Sequence, residues 1–224
     1  MANLLTRGFN AETIDLLLKC YREKWRYDVP RLDRIGKRIR NREPMYGTKE
    51  ELTQIVSWKR APTGRKFARE NTSSAVESVS RKAFSKRSGS ETILELRRLR
   101  QVGVPMASAI LRFVWPDSYG TVDWRNWYVL SNIMNRVGKE NDVFKKPLLS
   151  SLSSVKRHSS SGITVNRYRE YLRVIRSLAE KYPNRTEGGK KLPIISELVK
   201  EYSKRTPAEI DMALFSYSWL FIVK

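Results

Sequence analysis

The stretch Leu99-Arg-Gln-Val-Gly-Val-Pro-Met-Ala-Ser-Ala-Ile-Leu-Arg-Phe-Val-Trp-Pro-Asp-Ser-Tyr-Gly-Thr-Val-Asp123 decides how the rest of this chain is read. It opens as the end of one helix, turns at Val102-Gly103-Val104, and continues as an apolar helix with Pro105 in its first turn, where proline's missing N–H costs nothing. A loop holding Pro116 and Gly120 follows, and Asp123 then stands immediately before a further helical pattern beginning at Trp124. Two helices joined by a tight turn, followed by a carboxylate just before the next helix, form a unit that can carry chemistry.

Working outward, helical periodicity dominates. Ile14, Leu17, Leu18, Tyr21 and Trp25 make one apolar stripe after the cap candidate Asn10. Thr48 to Glu51 has the spacing of a capping box, and Thr206-Pro-Ala-Glu209 repeats it before the last helix. Ala75, Val76, Val79 and Ala83 form a helix after Asn71-Thr72, and Ser90 is read as the cap of the helix carrying Ile93, Leu94, Leu96 and Leu99. Trp127, Tyr128, Leu130, Ile133 and Met134 follow Asp123, and Tyr168 to Tyr182 carries the cleanest stripe of all. Alternating polarity is scarce, and no Asn-Gly or Asp-Gly hairpin turn occurs. The expectation is an all-α fold. Residues 149–162, with seven serines, and residues 182–191 read as loops.

With 224 residues, 40% apolar residues and six Trp, the chain can bury a substantial core. Lys and Arg outnumber Asp and Glu by 44 to 23, a net charge of +21. Such a surplus draws a protein onto a polyanion, and duplex DNA offers about one charge per 1.7 Å. RNA or an anionic membrane attracts it as well, so charge alone does not choose. Cys20 is the only cysteine, which excludes an internal disulfide and any four-cysteine cluster. No apolar run suits a signal peptide or approaches the roughly 20 residues of a membrane span. A soluble, intracellular protein is expected.

A turn of this kind points successive N–H groups outward beside the N-terminus of its second helix, where one phosphate can sit. Gly103 is expected to supply positive φ or room for a phosphate. The backbone of Gln101, Val102, Gly103, Val104 and Pro105 would then be the anion cradle. Arg98 and Arg100, with Arg97, would reach neighbouring phosphates. Ala107 and Ala109 allow close helix packing.

Residues 99–125 resemble the helix-hairpin-helix DNA glycosylase superfamily that includes endonuclease III and 8-oxoguanine glycosylase. Leu99, Val102, Gly103, Ala107, Val122 and Asp123 fall on that family's pattern of Leu-Pro-Gly-Val-Gly-x-x-x-Ala, an apolar helix and Val-Asp. The resemblance implies a two-lobed helical protein with DNA in a cleft, the hairpin lobe spanning residues 45–140 and the second combining residues 1–44 with 141–224. It implies flipping of a damaged or mispaired base out of double-stranded DNA, with Asp123 stabilising the sugar cation and orienting water. Gln101 departs from the pattern where the first hairpin glycine is usual. Pro105 stands where lyase-active members carry a lysine, eighteen positions before Asp123. Proline cannot form a Schiff base. A monofunctional enzyme is therefore implied, with Lys59 or Lys82 as the alternative amine. No cofactor and no iron–sulfur cluster are expected, and a monomer suffices.

Asp123 is also a good N-cap for the helix starting at Trp124, a role worth about 1 kcal/mol and compatible with catalysis. Arg125 can hold a phosphate or brace it. A flipped base needs a flat apolar wall, and Trp58, Trp124 and Trp25 are the candidates, with Tyr27 behind them. Trp58 is preferred because it ends a helix and opens a basic loop to Arg69. Aromatic residues equally serve the core. Basic runs at 31–42, 59–69, 81–87, 97–100 and 156–176 suggest a DNA track. His158 is the lone histidine, so no serine-, cysteine- or zinc-based mechanism arises. The rival readings are a non-catalytic helix-hairpin-helix DNA-binding protein and an RNA-binding helical protein.

Overall fold

A computed structural model describes residues 10–25, 28–86, 88–137, 162–186 and 204–221. Among them lie ten α-helices and no strand: α1 (Ala11–Trp25), α2 (Asp28–Arg40), α3 (Lys49–Lys59), α4 (Ala61–Glu70), α5 (Ser73–Phe84), α6 (Gly89–Leu96), α7 (Val104–Val114), α8 (Trp124–Val137), α9 (Val165–Lys181) and α10 (Pro207–Phe221). The all-α expectation holds.

The helix starts obey local chemistry. Thr48 and Glu51 close the capping box at α3, each accepting the other's backbone N–H. Thr206 and Glu209 do the same before α10. Asn10 accepts the Thr13 N–H at 2.8 Å, and Thr72 caps α5. Ser88, rather than Ser90, caps α6, since it is Ser88 that has Glu91 three residues on to supply the bonded N–H.

Two helices run through stretches read above only as basic segments. α2 buries Val29, Leu32, Ile35 and Ile39 on one face and turns Arg31, Arg34, Lys37 and Arg38 outward or to the rim. The expected loop from Arg60 to Arg69 is instead α4, with Pro62 in its first turn and Gly64 and Phe67 buried. Arg60 is the hinge residue between α3 and α4.

α7 is the centre of the molecule. Ala107, Ala109, Ile110, Leu111, Phe113 and Val114 are all buried, as expected of a helix apolar on every side. α2, α3 and α6 pack around it. Arg112 is 1% exposed on that helix, and its charge is met by Asp33 of α2 at 2.6 Å. α10 packs against α1, α8 and α9, and one continuous apolar core joins all of these elements. Among the described residues no helix is long and apolar enough to cross a membrane.

Candidate active site

The turn between α6 and α7 puts Gln101, not Gly103, in the left-handed region, at φ 68°. Gly103 sits at φ −85° and ψ 178° as the N-cap of α7, a conformation open to any residue. The departure from the usual glycine is thus absorbed by a strained glutamine, whose side-chain amide donates to Glu70 Oε2 at 2.7 Å. Asn71 braces the same turn. Its side chain accepts the Arg100 N–H at 2.9 Å and donates to the Arg100 carbonyl at 3.1 Å, as a neighbouring strand would.

A Cβ on Gly103 would meet nothing closer than Pro105 Cδ at 3.8 Å. The protein itself therefore does not require glycine there. α7 begins without a side-chain cap, leaving its positive end to a ligand or solvent. Val102 and Val104 bury their side chains, so only their backbones bear on the turn's outer face. Arg98 is exposed and pairs with Glu95 at 2.8 Å, and Arg100 is exposed as well.

The loop leading to Asp123 is held by three helices. The Tyr168 hydroxyl on α9 donates to the Gly120 carbonyl at 3.0 Å. Asp211 on α10 accepts the Thr121 N–H at 2.9 Å, and Ser108 on α7 accepts the Val122 N–H at 3.0 Å. Asp123 Oδ1 then accepts the N–H groups of Arg125 and Asn126 at 2.9 and 3.0 Å. Asp123 is the N-cap of α8, as expected.

Its other oxygen faces Lys59. Lys59 Nζ, at the end of α3, lies 3.1 Å from Asp123 Oδ2, and Arg125 lies 3.8 Å from the same oxygen. Burial raises the carboxyl's pKa. The Lys59 charge, the Asn126 N–H and Arg125 together outweigh burial and hold it below the ordinary carboxylate value. The result is a fixed, ionised and almost dehydrated carboxylate.

This carboxylate lines a cleft of about 790 Å³ that the hairpin residues line too. Gln101, Gly103, Val104, Pro105, Trp124 and Arg125 of the expected site reach it. Arg97, expected beside the turn, and Lys59, the alternative amine, reach it too, as do Arg60, Thr63, Met106 and Ile163, which the sequence had not singled out. Trp124 is the aromatic wall, with the Arg125 guanidinium 4.9 Å from its ring.

Trp58 does not line the cleft. Its ring meets Phe113 edge-on at 5.0 Å against the core, because its position on α3 faces α7. Of the two alternative lysines, Lys59 is at the carboxylate, whereas Lys82 pairs with Glu95 at 3.7 Å on α5 and α6. The Trp25 side chain, Tyr27, His158 and the serine-rich stretch lie outside the described residues. Among the described residues no cluster of three His, Cys, Asp or Glu side chains could hold a metal ion.

The chain matches no protein-family model, no curated protein and no solved structure.

Proposed function

We propose that this protein is a DNA glycosylase that hydrolyses the bond between deoxyribose and a damaged or mispaired base. The observation that carries the reading is Asp123: an ionised, buried carboxylate in a cationic cleft that it shares with the uncapped N-terminus of the hairpin helix.

The roles follow from charge. A phosphate of the duplex sits at the α7 N-terminus beside Gly103, where the helix dipole and the N–H groups of Gly103 and Val104 favour an anion, those of Val102, Met106 and Ala107 being bonded within the turn. Arg97, Arg60 and Arg125 at the cleft neutralise flanking phosphates. A nucleotide flipped into the cleft lays its base against Trp124. As the glycosidic bond breaks, positive charge grows on the sugar. Asp123 stabilises it through a medium with little water to screen the interaction, and the same carboxylate accepts a proton from the attacking water.

In the free protein Lys59 supplies the positive charge that Asp123 will meet in the transition state. Held by Asp123 at 3.1 Å, the Lys59 amine is engaged with the carboxylate, which favours water as nucleophile. We read the helices as two lobes, α2 to α7 around the hairpin and α1, α8, α9 and α10 opposite, because α2 packs on α3 and α7 while α8 packs on α10. This moves the hairpin lobe's start ahead of residue 45 and ends it at the Asp123 loop.

The test is single-turnover excision on duplexes carrying 8-oxoguanine, uracil, a thymine–guanine mismatch, an alkylpurine or hypoxanthine, with and without alkali. Expected are strand breaks seen only after alkali, absent in Asp123→Asn, with the variant's affinity for an abasic-analogue duplex kept. That duplex should also outcompete plain duplex and RNA. Cleavage without alkali would assign the nucleophile to Lys59. Tight DNA binding with no excision on any substrate would overturn the enzyme reading in favour of a non-catalytic hairpin DNA-binding protein, with Asp123 only a helix cap.

A further inference from the structure

Next to Asp123, and outside the cleft lining, lies a buried polar cluster that the reaction as described does not use. Asp211, in the second turn of α10, is 5% exposed. Its Oδ1 accepts the Tyr171 O–H at 2.6 Å and the Asn126 side-chain N–H at 2.5 Å. Its Oδ2 accepts the Thr121 N–H at 2.9 Å. The Asn126 amide also donates to the Thr121 carbonyl at 3.2 Å. Three donors therefore converge on one carboxylate from the loop, α8 and α9.

The cluster reaches Asp123 by two short routes. Thr121 is two residues before it, with no helical hydrogen bonds of its own to fix its direction. Asn126 gives its backbone N–H to Asp123 Oδ1 while its side chain is held by Asp211. Gly120 closes the arrangement sterically. A Cβ there would stand 2.6 Å from Ile175 Cδ1 and 3.0 Å from Asp211 Cβ. The loop backbone is thus pressed against α10 as well as bonded to it.

We infer that Asp211 is the positioning residue of this site: from α10 it fixes the backbone on both sides of Asp123 and so the direction in which the Asp123 carboxylate meets the sugar. The inference rests on the glycosylase reading for its consequence, though not for its geometry. Ionised Asp211 offers acceptors to all three donors. Protonation removes the charge and one acceptor position from a carboxyl that three donors share, so the anchoring weakens when it gains a proton. Burial raises the Asp211 carboxyl to about 6, against the hydrogen bonds from Tyr171 and Thr121 and the charges of Lys59 and Arg112. The other titratable groups whose fields it shares are Tyr21 on α1, Tyr168 on α9 and Asp123 itself. Because the folded value lies above the ordinary one, the ionised, anchoring form is lost as pH falls through about 6.

Asp211→Asn, which keeps the shape and removes the charge, tests this with two readouts. The first is hydrogen exchange over residues 120–127, which needs no substrate. The second is single-turnover excision across pH 5 to 8. We expect exchange at least tenfold faster and excision at least tenfold slower. The abasic-analogue Kd should stay within twofold, and the acid limb near pH 6 should disappear. Tyr171→Phe, removing one donor and keeping the buried ring, should move both readouts in the same direction by less. Far-UV circular dichroism confirms that each variant is folded. A merely structural role would lower stability while leaving the shape of the pH profile as in the parent protein, and that result overturns the proposal. Unchanged exchange in folded Asp211→Asn overturns it too, as does faster exchange with a native excision rate. Faster exchange in a protein whose parent excises nothing upholds the anchoring and removes the glycosylase reading instead.

Discussion

Replacing Lys59 by Met keeps the length of the side chain and removes the charge that balances Asp123. The pair is short, 3.1 Å, and its side chains are only 11% and 6% exposed, so water compensates poorly. Breaking a buried ion pair by deleting one partner costs about 3–5 kcal/mol. Asp123 retains two backbone N–H bonds and Arg125 at 3.8 Å, which brings the expected loss toward about 2–3 kcal/mol at neutral pH. For a chain of this size that lowers Tm by roughly 4–12 °C.

The pH dependence carries the diagnosis. In the parent protein the Asp123 pKa is lowered, so its contribution is fully present above the unfolded value of about 3.9 and is lost only below it. Without Lys59, burial becomes the ruling influence and the carboxyl rises above that value. The folded variant then takes up a proton before the unfolded chain does, and its stability recovers as pH falls toward the carboxylate range. Urea melts of both proteins at pH 7.5 and 4.5 measure this. The deficit of Lys59→Met should shrink on acidification. An equal deficit at both pH values would refute the claim that Lys59 holds Asp123 ionised.

Two further outcomes follow from the hairpin. Gly103→Ala should leave stability within about 0.5 kcal/mol, because the new Cβ finds Pro105 Cδ at 3.8 Å and a permitted φ. It should nonetheless weaken binding to the abasic-analogue duplex several-fold in an anisotropy titration, and an unchanged Kd would remove the phosphate from that position. Gln101→Val should cost about 1–2 kcal/mol in denaturant melts, since a β-branched residue resists φ 68° and the bond to Glu70 is lost. Gln101→Gly should be close to neutral, the relief of strain offsetting that bond.

Which parts of this protein were legible depended on the range of the interactions involved. The helix caps at Thr48 and Thr206 and the apolar stripe of α9 depend on residues three or four apart, and they are where the sequence places them. α2 escaped notice because Val29, Leu32, Ile35 and Ile39 are interleaved with arginines and lysines that read as a solvated run. α4 escaped because Gly64 and Phe67 are its only fully buried residues, too few to show a period. In the site, Asp123 and the hairpin were visible as a local motif. That Trp124 lines the cleft while Trp58 packs against Phe113 was not legible, because chain position says nothing about which side of α3 faces α7.

By itself, the sequence determined an all-helical, strongly basic chain carrying a tight turn between two helices and Asp123 at the head of the next helix. Those properties follow from hydrophobic periodicity, capping chemistry and the backbone demands of Gly and Pro, all of which act between near neighbours. Tertiary structure alone decided which cation meets Asp123, since Lys59 is separated from it by 64 positions, and which carboxylate anchors its loop, since Asp211 lies 90 positions beyond Thr121. Such partners are chosen by how α3, α7, α9 and α10 pack around one core. The burial that makes their charges strong exists only once that core has closed.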